Sequence, residues 1–269
     1  MRRLAATLAL SLALLAAFTG SSAQADAPTL TPGVLVVGLN MPSPGFQVGA
    51  VKGSQVLVAR GFEIAFARAL AAKLALPAVR FYQEGQFPRL FSAGPKPWDV
   101  AIAQISITPA RQLTADFSVP YLAVDQGVLL SRLSPTQPKT IAALRTLQLC
   151  SLAGSTGADV IASRVQPTRT PRLFGNVTLL MQSVQTGRCA AVVYDAPSLA
   201  TLKAQAPARY GAFAGVITTA ETYGVALPKG SPLTASVNTA IGALIADGTL
   251  GRLQRTWLTT NLARLPVLS

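Results

Sequence analysis

The chain has 269 residues, 50% of them apolar, with 23 Lys and Arg, 10 Asp and Glu, no histidine and a formal charge of +13. The missing histidine excludes Ser-His-Asp and Cys-His triads, His-ligated zinc and histidine general bases, and the apolar fraction excludes extensive disorder. Basic residues stand singly, mostly as Arg, without clustered runs or interleaved aromatics. The charge therefore reads as a solvated basic surface, and no nucleic-acid partner is expected.

At the start, Arg2 and Arg3 precede LAATLALSLALLAAF, and small residues lead to Ala23 and Ala25. This is the pattern of an export signal, residues 1–25, cleaved after Ala25. Its apolar core, Leu4 to Phe18, is short for a bilayer span, and no other long charge-free apolar stretch follows. No cysteine stands near the cleavage site to carry a lipid. Export would bring Cys150 and Cys189 into an oxidising compartment, where they form either a disulfide or two buried thiols; the sequence leaves both open.

After Pro32, VLVVGLN predicts a buried strand broken by PSPG. GFEIAFARALAAKL predicts a helix with Ile64, Ala67, Leu70 and Leu74 on one face and Glu63 near its start. VRFYQ reads as a strand, QFPRLFSAG as a short helix ended by Gly94, and WDVAIAQI as a strand buried on both faces. This βαβαβ opening signals a layered α/β fold.

Beyond DFSVPYL, AVDQGVLLSR is extended, and a polar linker with Pro135 and Pro138 leads to a second round. TLQLCSL, TPRLF and CAAVVYD read as strands alternating with helices in GSTGADVIASRV, NVTLLMQSVQTG and LATLKAQ; Asn176 caps the second of these and Gly187 ends it. Two such rounds divided by an extended connection predict two lobes. In the tail, YGVALPKGS is extended, SPLTASVNTAIGALIADG is a helix with Ser231 as cap and Pro232 first, and TLGRLQRTWL is a short last helix.

The ten carboxylates are dispersed, and neither GxxxxGK[ST] nor GxGxxG occurs, so the prior for conventional catalysis is low and no cofactor or metal is expected. The segments GFEIAFARALAAKL, WDVAIAQISITPARQLTADFSVPY, LAGSTGAD, GRCAAVVYDAP, YGVALPKGSPL and ADGTLGRLQRTWL, in that order, resemble the periplasmic solute-binding proteins of ABC importers, polar amino acid type. The resemblance covers nearly the whole mature chain. It implies a two-lobed flytrap crossed twice by the chain at its hinge: lobe one at 26–124 plus 219–269, lobe two at 125–218, ligand between them.

Carried onto this sequence, the resemblance makes Arg111 the clamp for a ligand carboxylate, suited to the planar fork of a guanidinium. Asp195, on the other lobe, would take the ligand's ammonium, although an acid at a strand exit can equally cap the next helix. Ser106 and Thr156 match ligand contacts, Ser155 stands beside Thr156 at a helix start, and Thr108 is a cap for a helix opening with Pro109. Phe46 and Phe87 match walls of the pocket, although such aromatics are as readily core. Departures are Ser43 where an aromatic is usual, Gln104 where a small residue is usual, Ala65 for a common Asp, and a longer loop from Phe46 to Gly61.

The expectation is a monomeric, non-catalytic periplasmic protein that captures a small amino acid or related zwitterion and delivers it to an inner-membrane ABC permease. Two alternatives use the same scaffold: a cyclohexadienyl dehydratase-like enzyme, and a partner-binding accessory protein of a periplasmic dehydrogenase system.

Overall fold

The apolar run VLVVGL forms strand β1 (Val34–Leu39), buried at all but its first residue, in the computed structural model, which describes residues 28–258 and 265–269. The expected export signal lies outside the described residues. A hairpin follows, β2 (Val48–Lys52) and β3 (Gln55–Arg60), turning through Gly53. The segment expected to be a long loop is thus paired strand. Val51 and Val58 are exposed and, of the valines, only Val56 packs against the core, so the hairpin left no buried period to read. Helix α1 (Phe62–Lys73) starts after Gly61, where φ is 128° and a Cβ would stand 2.2 Å from the Phe46 carbonyl oxygen, so only glycine fits.

β4 (Ala78–Gln83), a 3-10 turn at Phe87–Leu90, β5 (Val100–Ala101), α2 (Pro109–Gln112) and β6 (Ala115–Phe117) complete the first round. The strand expected over WDVAIAQI is reduced to two paired residues, because the chain turns left-handed at Gln104, φ 55°. The second round is β7 (Leu122–Leu130), β8 (Leu149–Leu152), α3 (Thr156–Val160) continued as one π-helical turn, β9 (Arg172–Phe174), α4 (Val177–Gln185), β10 (Ala191–Asp195), α5 (Ala196–Gln205) and β11 (Phe213–Tyr223). Asn176 caps α4, its side-chain oxygen accepting from Leu179 N at 2.9 Å. Last come β12 (Ala226–Pro228), α6 (Thr234–Ala246) and α7 (Thr249–Trp257). α6 begins after Leu233, so the cap expected at Ser231 lies in the preceding turn.

These strands make two sheets, a seven-stranded one ordered β2-β3-β4-β1-β5-β12-β6 and a five-stranded one ordered β11-β7-β10-β8-β9. The fold is α/β and two-lobed. In the first lobe β1 lies parallel to β4 and β5, and α1, α6 and α7 cover the sheet with Leu70, Val237, Ile241, Leu244 and Leu250 in one apolar cluster. In the second, β7 pairs antiparallel with both β10 and β11. The chain crosses between β6 and β7 and between β11 and β12.

Segment 219–269, expected wholly in lobe one, departs from that at both ends. β11 runs on to Tyr223 in the second sheet, and Val267 bridges Val216 there. Leu268 is buried among Val128, Leu130 and Ile217, which supplies the apolar reason for the return.

Glu63 is the unexpected feature of α1. It is fully buried, and its carboxylate accepts from Gln104 N at 2.7 Å, from the Tyr121 hydroxyl and from Gln47 Nε2. These bonds hold Gln104 in its left-handed conformation, which a side-chain-bearing residue adopts only at a cost of about 1–2 kcal/mol. Burial raises the Glu63 pKa from 4.5 to about 7, against the lowering effect of its three donors. An acid raised on folding stabilises the fold below its unfolded pKa and loses that contribution as pH rises through the folded value. Relative to Glu63→Gln, the wild-type protein should lose about 3 kcal/mol of unfolding free energy between pH 4.5 and 8; chemical denaturation at the two pH values measures the difference.

Cys150, in β8, and Cys189, just before β10, are bonded and fully buried, with 39 residues of sequence separation. Closing a loop of that length stabilises by about 2–4 kcal/mol in the chain-entropy account. The Cys150→Ala/Cys189→Ala protein should melt about 5–10 °C lower, and added reductant should shift the wild type the same way and leave the double variant unmoved.

Candidate ligand-binding site

Arg111 owes its place to a tight exit from the first sheet. Thr108 caps α2, its hydroxyl oxygen accepting from Arg111 N at 3.2 Å, and Pro109 fills the first helical position. The guanidinium is buried, lying 4.4 Å from the Phe91 ring centroid and 5.4 Å from that of Phe87. Nη1 donates to Ser106 O at 2.9 Å, and Nη2 reaches Gly154 O, in the other lobe, at 3.1 Å. No carboxylate among the described residues forms an ion pair with it. Burial lowers its pKa, partly offset by the charges of Asp195, Asp159 and Glu221.

Asp195 ends β10 and stands at the N-cap position of α5, yet its side chain makes no capping bond. It accepts instead from Gln126 Nε2 at 2.8 Å, across the antiparallel pair in which Asp195 faces Gln126. Its pKa is raised to about 6, by burial first and the Glu221 charge second. No cation pairs with it among the described residues. Gln126 is fully buried, and its Oε1 has no hydrogen-bond partner; the Tyr223 hydroxyl is likewise buried and unpartnered.

Ser106, from the first lobe, and Thr156, at the first position of α3 in the second, meet at one acceptor. Their hydroxyls donate to Glu221 Oε2 at 2.8 and 2.7 Å. Ser155, by contrast, is occupied in structure. Its Oγ caps α3 by accepting from Ala158 N at 3.3 Å and donates to Leu152 O at 2.8 Å.

Gln104 spans the lobes. Its Oε1 accepts from the Ser43 hydroxyl, and its Nε2 donates to Ser198 Oγ of α5 at 2.7 Å, so the amide fills the space between them. Of the two readings left open for Phe46, wall or core, the packing gives the core one: fully buried, it meets Phe62 and Tyr223 edge-on at 5.8 and 6.2 Å. Phe87 stays beside Arg111.

Glu221, Gln126 and Phe91 escaped the sequence reading. Glu221 lies two residues from Tyr223, on the same face of β11, and that alternation was the available signal. Gln126 was a lone amide beside Asp125 in a largely apolar strand, and Phe91 followed Phe87 at helical spacing.

Comparison with known proteins places this arrangement. The profile of the bacterial extracellular solute-binding proteins, family 3, matches residues 35–260. The L-cystine-binding protein TcyJ of Escherichia coli is 28% identical over 233 residues, covering 86% of this chain and 85% of its own. The lysine/arginine/ornithine-binding periplasmic protein of Escherichia coli is 27% identical over 273 residues, covering 94% and 98%. Among solved structures, an ancestral arginine-binding protein bound to glutamine superposes with a TM-score of 0.73 at 28% identity, over 84% of this chain and 98% of its own. With two lobes and a match to the family profile over most of its length, this chain belongs to the bacterial extracellular solute-binding proteins of family 3.

Proposed function

We propose that the protein binds an amino acid as a zwitterion between its lobes, without chemical change, and works outside the cytoplasmic membrane, as a single chain, to deliver it to an ABC permease. One observation carries the reading: Arg111 and Asp195 come from different lobes, are both buried, and neither has an ionic partner among the described residues. A buried charge without a partner is costly. An amino acid removes both costs at once, its carboxylate on the guanidinium and its ammonium on the aspartate. The unpartnered Gln126 Oε1 and Tyr223 hydroxyl add acceptors beside the ammonium end.

Closure follows from the same geometry. Only with the lobes together can one small molecule touch both charges, so its affinity for the closed state exceeds that for the open one and shifts the population. Family membership and relatives named for amino-acid ligands support the reading.

Calorimetry with the polar amino acids should identify a ligand, and Arg111→Ala should weaken it at least about hundredfold, Arg111→Lys less, since a point charge keeps attraction without the fork. Absence of any binder from the panel would sink the reading. Asp195 must be ionised to hold an ammonium. With its pKa near 6 in the free protein, lowering the pH from 7 to 5 should weaken binding about tenfold. Asp195→Asn, titrated over the same range, should bind weakly and lose that dependence.

A further inference from the structure

Glu221 plays no part in the zwitterion scheme, yet it holds the hydroxyls of Ser106 and Thr156, which the resemblance makes ligand contacts. Each hydroxyl has a single proton to donate. Ser106 and Thr156 both give theirs to Glu221 Oε2, and Gln126 Nε2 stands 3.3 Å from its Oε1. One carboxylate, carried on the hinge strand β11, is thereby bonded to the first lobe through Ser106 and to the second through Thr156.

The backbone aims it there. The register of β11 against β7 shifts between Ile217 and Glu221, a bulge in which Ala220 takes φ 52°. Asp125 Oδ1 fixes that turn, accepting from Thr219 N at 2.8 Å and Ala220 N at 3.2 Å. A bulge re-aims a side chain, and a left-handed alanine is strain that its surroundings must hold. A cavity of about 410 Å³, lined by Glu221 with Asp125, Ala196, Thr218 and Thr222, lies alongside and has room for the side chain outside the ligand seat.

We propose that Glu221 is a built-in occupant of the ligand-carboxylate seat: in the ligand-free protein it latches the lobes together through Ser106 and Thr156, and a ligand binds by displacing it. The proposal rests on the amino-acid reading above. The competition is strict, because two hydroxyl protons cannot serve two carboxylates. Removing the glutamate therefore both releases the closed ligand-free state and frees the seat.

Two measurements on wild type, Glu221→Ala and Glu221→Gln test it. In small-angle X-ray scattering without ligand, Glu221→Ala should show a larger radius of gyration than wild type. In calorimetry, it should bind the amino acid about tenfold tighter. Glu221→Gln keeps the size of the side chain and loses its charge, so it should move both readouts the same way by less, and it decides between latch and no latch should the alanine variant fail to fold. Weaker binding by both variants would overturn the proposal, since Glu221 would then be holding the ligand. An unchanged radius with unchanged affinity would overturn it too. If no amino acid binds wild type or variant, the ligand reading fails, while scattering still decides the latch.

Discussion

Two opposite charges held under cover and kept from one another organise this molecule. Arg111 is shielded by Phe87 and Phe91 and bonded only to carbonyl oxygens, whereas Asp195, on the facing lobe, is bonded to an amide. Direct pairing would satisfy both and leave nothing for a ligand. The fold prevents it by fixing each on a separate scaffold, a capped turn at the exit of the first sheet and the last residue of a strand in the second. What remains is a pair of buried groups without an ionic partner among the described residues, the basis of the proposed zwitterion site.

The strands that join the lobes are more than connectors. β7 contributes Gln126 and β11 contributes Glu221 and Tyr223, so the interior of the site is partly made of the hinge itself. On the proposed reading, hinge closure and ligand binding would draw on the same residues, and Asp125 holds the bulge that carries Glu221. Gln104 adds a further tie by reaching Ser198 across the gap. Its unusual backbone is sustained by Glu63, buried at the start of α1.

Much of this was legible in the sequence, and the boundary has physical causes. Strands with both faces buried, such as VLVVGL, and capped helices, such as the one after Asn176, announce themselves because local chemistry and tertiary burial agree. The position of Arg111 was readable because Thr108 and Pro109 fix the turn before it. The β2–β3 hairpin was not, since exposed strands carry no burial period. Ser155 and Phe46 carried the right residue types but spend them on a cap and on the core. For Glu221 the alternation with Tyr223 was a faint signal, because its inward aim comes from a bulge, and a bulge is set by the register of two strands about 90 residues apart, a distance local patterning does not span.

The tail has a mechanical meaning as well. α7 belongs to the first lobe, where Leu253 and Trp257 pack against its core, and a few residues later Val267 and Leu268 belong to the second. The chain therefore passes between the lobes a third time, after Trp257 in the first and before Val267 in the second. Any separation of the lobes would then have to work against this third link as well as the two hinge strands, with Leu268 seated in the apolar cluster of the second lobe.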